Sequence, residues 1–191
     1  MLFAAGDPGN GCYRIDAGLL KVSAISATAG ERILAILGPG SIVGELSEID
    51  EAPRSATVAA LRDSELSFVS RADFYIFADE HPHLYKNLMI LLARRLHEAD
   101  NMVAATSFLS PKGRVACALL SLAEAFGHEV GTGRIMIQQK LNQSDLAAMS
   151  GIARENVNRI LSEWRRKTVV SRMAGYYFLE NTESLRHEAK L

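Results

Sequence analysis

Gly151-Ile152-Ala153-Arg154-Glu155-Asn156-Val157-Asn158-Arg159-Ile160-Leu161 is the stretch on which the reading of this chain turns. Val157, Ile160 and Leu161, followed by Trp164, recur at three- and four-residue steps and mark the buried face of a helix that begins near Ala153. Arg154, Glu155, Asn158 and Arg159 fall on the other face. Just upstream, Asn142 can N-cap a short helix, with Asp145 three residues on as a capping-box partner and Leu146 and Met149 as its apolar side. Gly151 between them supplies the tight turn. Two short helices, a glycine turn and polar tips at the start of the second describe a helix-turn-helix. A guanidinium can bond guanine O6 and N7 together, and a carboxylate can accept from cytosine N4, so Arg154, Glu155 and Arg159, with Asn158 beside them, are base-reading candidates. Alone, such side chains are more often a solvated face with weak ion pairs. The capped helix and the turn ahead of them select the DNA reading.

Outward from this motif, Thr168–Ser171 and Tyr176–Leu179, joined by Met173-Ala174-Gly175, read as a hairpin, which makes the motif a winged one. Lys167, with Arg165, Arg166 and Arg172, suits contact with phosphates, which fix position without specifying sequence. Gln143, Ser144 and Asn156 can add neutral phosphate bonds. Ser110-Pro111 is a helix start, with serine as N-cap and proline at a position that needs no N–H, so Leu109-Ser110-Pro111 is the expected hinge. Lys112 to Phe126 reads as a helix closed by Gly127, His128 to Gly133 as a loop and Arg134 to Ile137 as a short strand. Before the hinge, a long helical pattern runs from His83 to Ser107. Tyr85, Leu88, Leu92, Leu96, Ala99, Val103 and Thr106 form a seam too long for one small domain to cover, which predicts a self-pairing helix. His81-Pro82 separates it from a shorter helix, Arg71 to Glu80.

The first part of the chain has a different grammar. Eight of the 14 glycines precede residue 45 and punctuate short β-like runs at Cys12–Ile15, Leu19–Ser26, Arg32–Leu37, Ala56–Ala60 and Glu65–Val69. Such spacing reads as a sandwich, roll or barrel. Within it lies Gly38-Pro39-Gly40-Ser41-Ile42-Val43-Gly44-Glu45-Leu46, followed by Arg54-Ser55-Ala56-Thr57-Val58. Gly44 ends a strand and permits close approach; Glu45 and Leu46 open a helical turn; Arg54 and Ser55 offer a charged fork and a hydroxyl, the pair suited to phosphate oxygens. Glu45 can accept from a sugar hydroxyl. From spacing alone, a structural Glu45–Arg54 ion pair in a sheet protein is the favoured reading.

Composition narrows the function classes. The 191 residues are 48% hydrophobic and 23% charged, which is ordinary for a globular protein, and the formal net charge is -1. The charge is uneven: Gln138 to Arg172 holds seven Lys/Arg against three Asp/Glu, a local +4 that leaves -5 elsewhere. A basic segment on an acidic body fits a DNA reader attached to a separate sensor. Cys12 and Cys117 are too few for a disulfide framework or a four-thiolate centre. The start carries no secretory pattern and no run is long enough to span a bilayer, so the cytoplasm is the expected compartment. His81, His83, His97, His128 and His187 lack metal-binding spacing, and neither a G-x-S-x-G elbow nor a P-loop occurs, so no metal site, no catalytic residue and no enzyme activity are expected.

The residues from Gly151 to Leu161 resemble the recognition-helix signature of the cyclic AMP receptor protein and FNR (CRP/FNR) family of transcription regulators, G-x-S-R-E-T-V-x-R, with Ala153 and Asn156 at the serine and threonine positions. Gly44-Glu45-Leu46 and Arg54-Ser55-Ala56 resemble that family's phosphate-binding cassette, and the likeness continues through Ala93-Arg94-Arg95-Leu96 and Phe108 to Ala116. The resemblance implies an α+β chain: an N-terminal cyclic-nucleotide-binding-like β-roll entered past its first strands (1–80), a long dimerisation helix and hinge (81–109), and a C-terminal winged helix-turn-helix (110–191). It implies an effector site of Gly44, Glu45, Leu46, Arg54 and Ser55. Asp100, beside Ala99, stands where the family's helix meets the base. Cyclic AMP or cyclic GMP is the implied effector, and double-stranded DNA with a near-palindromic site, a second copy of the chain and RNA polymerase are the implied partners. The alternative reading is an effector-independent DNA-binding regulator with a vestigial pocket.

Overall fold

The computed structural model describes residues 1–27, 30–131 and 133–190. They divide into two compact units, Met1–Glu98 and Ala99–Leu191. The chain is α+β, and every strand pairing among the described residues is antiparallel.

The first unit is a β-roll. Its elements are β1 (Gly11–Ala17), β2 (Leu20–Ile25), β3 (Glu31–Leu37), β4 (Ile42–Val43), α1 (Leu46–Ile49), β5 (Thr57–Ala60), β6 (Glu65–Ser70) and α2 (Arg71–Glu80). One sheet has the order β4-β1-β6 and the other β3-β2-β5. Ile15 and Val43 from the first meet Leu20 and Val58 from the second in a buried cluster closed by Leu2, Phe3, Tyr13, Val22, Leu37 and Leu66. Strand alternation puts these side chains on the inner faces, and their removal from water holds the sheets together. A second cluster, Cys12, Phe74 and Leu88 with Ile42, Val69 and Leu84, fastens α2 and the first turns of the next helix to β1. Ser70 caps α2 by accepting from the Asp73 amide.

Helix α3 (His83–Phe108) contains the boundary between the units, and Leu88 is its one buried residue among those described. The predicted seam is otherwise open: Tyr85, Leu96 and Val103 are 42%, 61% and 67% exposed.

The second unit continues with α4 (Pro111–Phe126), β7 (Gly127–Glu129), β8 (Ile135–Ile137), α5 (Gln143–Ser150), α6 (Arg154–Arg166), β9 (Val170–Met173), β10 (Tyr176–Leu179) and α7 (Thr182–Glu188). Ser110 caps α4 through the Gly113 amide, with Pro111 in the first turn, as the sequence predicts. The sheet order is β7-β8-β10-β9. Leu119, Leu146, Val157, Leu179 and Leu185 are fully buried, so helices and wing share one core.

Three expectations change. Gly127–Glu129, read partly as loop, is a strand paired to β8; all three residues are exposed, so backbone pairing rather than an apolar alternation makes it. Thr132, within that expected loop, lies outside the described residues. The wing turns on Ala174-Gly175 alone, with Met173 paired to Tyr176, and Thr168 precedes the strand in a left-handed conformation, φ 53°. Helix α7 is an element that the hydrophobic pattern does not predict. Asn181 caps it through the Ser184 amide, and the buried Leu185 anchors it.

Candidate nucleic-acid interface and effector cassette

Helices α5 and α6 form the predicted pair. The Asn142 side chain accepts from the Ser144 and Asp145 amides while Asp145 accepts from the Asn142 amide, a complete capping box. Gly151 ends α5 at φ 63°, ψ 40°, the left-handed cap that glycine adopts without a Cβ clash, and its amide bonds the Ala147 carbonyl. Ala153, extended, begins α6 with no side-chain cap. Val157, Ile160, Leu161 and Trp164 are buried at 4% exposure or less. That stripe fixes the rotation of α6 and leaves Arg154, Glu155, Asn158 and Arg159 outward and exposed. Among the described residues, Arg154 and Glu155 have no side-chain partner.

Secondary contacts organise this surface. Gln143 Nε2 donates to Asn158 Oδ1 at 3.2 Å, joining the start of α5 to the exposed face of α6. Arg159 reaches Asn156 Oδ1 at 3.4 Å. Ser144 is exposed beside them. Lys167, the C-cap of α6, donates to Glu163 at 2.9 Å, and Lys112 from α4 donates to the same oxygen at 2.7 Å. These two ammoniums hold the Glu163 carboxyl down at about 2. Arg165 and Arg166 are exposed in the last turn. Arg172 is partly engaged, donating to the Leu141 carbonyl at 3.1 Å and lying over the Tyr177 ring. A row of exposed cations beside outward hydrogen-bonding tips can bind a polyanion and discriminate groups along it.

In the first unit, Gly44, Glu45 and Arg54 come together around α1. Gly44 has φ +85°, and a Cβ there would lie 2.5 Å from Arg54 Nη1, so the glycine makes room for the guanidinium. Arg54 is 5% exposed. It donates to the Gly44 carbonyl at 2.6 Å, Ser47 Oγ at 2.7 Å and the Gly11 carbonyl at 2.7 Å, and it lies over the Phe3 ring. The expected alternative, a Glu45–Arg54 pair, does not form. Glu45 is fully buried and pairs with Arg95 from α3, which also donates to the Ile42 carbonyl at 2.8 Å. Burial pushes the Glu45 carboxyl above its ordinary range, against the pull of Arg95. Its second oxygen and Arg54 Nε are both buried with no hydrogen-bond partner. The cluster therefore leaves one acceptor and one donor without a protein partner. Leu46 begins α1 half-buried and Ser55 is exposed at the edge of the cluster. Asp100 is exposed on α3 within the second unit.

Residues 1–81 match the model of the cyclic nucleotide-binding domain, and residues 113–188 match the Crp-like helix-turn-helix domain. The CRP-like cAMP-activated global transcriptional regulator of Mycobacterium tuberculosis is 30% identical over 189 residues, 99% of this chain and 84% of that protein. The chain belongs to the CRP/FNR family. The cyclic AMP receptor protein of Thermus thermophilus is 37% identical over 169 residues, 88% of this CRP/FNR chain and 74% of the relative. A CRP/FNR-family transcriptional regulator from the same organism, solved by crystallography, superposes with a TM-score of 0.75 at 27% identity, covering 98% of this chain and 96% of its own. FixK2 of Bradyrhizobium japonicum shares the fold, with a TM-score of 0.87 at 19% identity over 100% of this chain and 92% of its own. This CRP/FNR protein is therefore a DNA-binding transcription regulator carrying a cyclic nucleotide-binding domain.

Sequence reading of the regulator missed several members of the cassette. Arg95 lies 50 positions from Glu45, so no local spacing could link them. Ser47 and Glu48 on α1 are buried, and Glu48 binds Arg71 of α2 at 2.9 Å. Their signal was only the unusual polarity of a turn flanked by apolar strands. Both cysteines are un-ionised at neutral pH; burial pushes the Cys12 thiol up to about 11 and raises that of Cys117. Among the described residues, no group of three or more His, Cys, Asp or Glu could hold a metal ion, and no helix is long and apolar enough to cross a membrane.

Proposed function

We propose that this regulator works in the cytoplasm as a homodimer that reads a near-palindromic duplex and whose affinity is set by a small anionic effector of the cyclic nucleotide class. The functional segments are the roll (1–80), the dimerisation helix and hinge (81–109) and the winged helix-turn-helix (110–191). The observation that carries the reading is the outward projection of Arg154, Glu155, Asn158 and Arg159 from a helix anchored by four buried apolar side chains. Arg154, Glu155 and Arg159 read base edges in the major groove, with Asn158 held beside them by Gln143. Ser144, Asn156, Gln143 and Lys167 contact phosphates. Two copies of the seam on α3 pair, bringing two reading helices to half-sites about 34 Å apart. RNA polymerase is the further partner implied by a transcription regulator of this kind.

Effector control is supported by the cAMP-activated relatives and by the two unpartnered polar atoms in the cassette. The effector's anion takes Arg54 and Ser55, with Gly44 and Leu46 shaping the loop. Its sugar hydroxyl takes the free oxygen of Glu45, and Asp100 is the residue that the family resemblance assigns to the base. The change in α3 re-aims the reading helices through the Ser110-Pro111 hinge. A coupling of about 1–3 kcal/mol suffices to switch occupancy.

One observation favours a second reading, an effector-independent regulator with a vestigial pocket: Arg54 already has three protein acceptors. Operator DNA obtained by binding-site selection, titrated by fluorescence anisotropy with and without cyclic AMP and cyclic GMP, tests both. A nucleotide-dependent rise in affinity supports effector control. Unchanged affinity together with calorimetric silence leaves the second reading, and no preference for any selected duplex sinks the DNA-reading assignment itself.

A further inference from the structure

Glu163 is a carboxylate in an odd position. It stands on the reading helix of a basic unit and gathers two lysines onto one oxygen, Lys112 from the first turn of α4 at 2.7 Å and Lys167 from the end of α6 at 2.9 Å. Its place on the helix is informative. Glu163 lies seven residues after Asn156 and four after Arg159, so the three share one strip of α6 bordering the exposed reading face. The strip is not the buried one, which holds Val157, Ile160, Leu161 and Trp164. All three members of the cluster keep contact with solvent: the side chains of Lys112, Glu163 and Lys167 are 36%, 27% and 65% exposed.

The cluster is not needed as a tether. Val115 and Leu119 of α4 and Trp164 of α6 are buried in this unit's core, which already fixes the two helices. Exposed ammonium–carboxylate pairs also hold weakly, because water screens them and the long side chains lose freedom. What the carboxylate does is chemical. An anionic oxygen that two ammonium groups approach within hydrogen-bond distance imitates an oxygen of a nucleic-acid phosphate. Two lysines on one carboxylate retain a surplus positive charge, and Arg165 and Arg166 add to it.

We propose that Lys112 and Lys167 together grip one backbone phosphate of the bound duplex, and that Glu163 holds both ammonium groups in place as an anionic stand-in that the phosphate displaces. The proposal rests on reading this unit as the DNA-binding half. It adds Lys112 to the DNA contacts and gives Glu163 the role of a positioning residue that also restrains affinity. Association exchanges one anion for another, so the lysines arrive already ordered. The carboxylate left behind repels the incoming phosphate and keeps binding to arbitrary sequence weak.

The test uses the full chain and its Lys112→Gln, Lys167→Gln, Glu163→Gln and Arg154→Ala variants. Anisotropy titrations on the selected operator and on a scrambled duplex are run from about 50 to 200 mM salt, where phosphate contacts dominate the salt dependence. Lys112→Gln and Lys167→Gln are each expected to weaken both duplexes by a common factor and to reduce the slope of log affinity against log salt by about one unit. Glu163→Gln is expected to tighten both duplexes a few-fold with their ratio unchanged. An unaltered salt slope in Lys112→Gln overturns the proposal, as does weaker binding by a Glu163→Gln protein that is fully folded at the titration temperature. If Glu163→Gln does not fold, the Lys112→Gln slope decides alone. Failure of the underlying reading looks different: the parent then shows no preference for the selected duplex and Arg154→Ala changes nothing.

Discussion

Arg95 and Glu45 show how much a single side chain can carry in this regulator. Glu45 is wholly buried, and Arg95 is the only cation hydrogen-bonded to it among the described residues. Arg95→Met is expected to leave a buried carboxylate without a counter-ion and to lower unfolding stability by about 3 kcal/mol, the lower end for stripping a buried charge because Arg95 is partly exposed; urea denaturation at neutral pH measures it. Glu163 gives a pH signature. Its folded carboxyl titrates at about 2 against an ordinary value of 4.5, because Lys112 and Lys167 hold the charged form. Its stabilisation is therefore complete above pH 4.5 and is lost as pH falls through about 2. The difference in urea midpoint between the parent and Glu163→Gln should shrink across that interval on acidification; a constant difference would contradict the assignment. Arg154→Ala is expected to cost about 1–3 kcal/mol of operator binding and to relax preference at one base pair, read out by repeating the site selection. At this scale the reading-face residues were legible, because a helix period sorts them by itself. Arg95 on Glu45 and Lys112 on Glu163 were not, since those partners come from other elements.

Elements in the second unit are bounded by local chemistry that the sequence states openly. Ser110-Pro111, the Asn142–Asp145 capping box and Gly151 all act where they were expected. The turn between β9 and β10 is less well served. Ala174 and Gly175 have φ of 52° and 90°, the left-handed pair that suits a two-residue hairpin, and alanine carries a Cβ penalty there. Ala174→Asn is expected to raise stability by about 1 kcal/mol, since asparagine tolerates this region better; chemical denaturation checks it, and operator affinity should hold. Two elements escaped sequence reading for opposite reasons. Strand β7 has no buried residue and exists through its ladder to β8, while α7 is too short for a periodic pattern and is defined by one cap and one buried leucine. Pairing and single-anchor docking leave little trace in a linear pattern.

At the scale of the whole molecule, α3 is the element with the most uncovered apolar surface to account for. A 26-residue helix with one buried position, and with Leu96 and Val103 more than half exposed, has an apolar seam that one copy of the chain leaves in water. On the proposed pairing, Leu96→Glu combined with Val103→Glu is expected to shift sedimentation from dimer to monomer and to weaken operator binding. A double variant that sediments as the parent does would rule out pairing through this seam. The α+β division, the winged helix-turn-helix and the two motif-bearing loops are written into the chain, since they follow from hydrophobic period, caps and glycine positions that act within a few residues. Tertiary structure alone decided which charges meet. It turned Arg54 inward onto backbone carbonyls, gave Glu45 to Arg95 and brought Lys112 to Glu163, because a buried or shared charge is satisfied by whichever partner folding brings within reach, and sequence distance does not limit that choice.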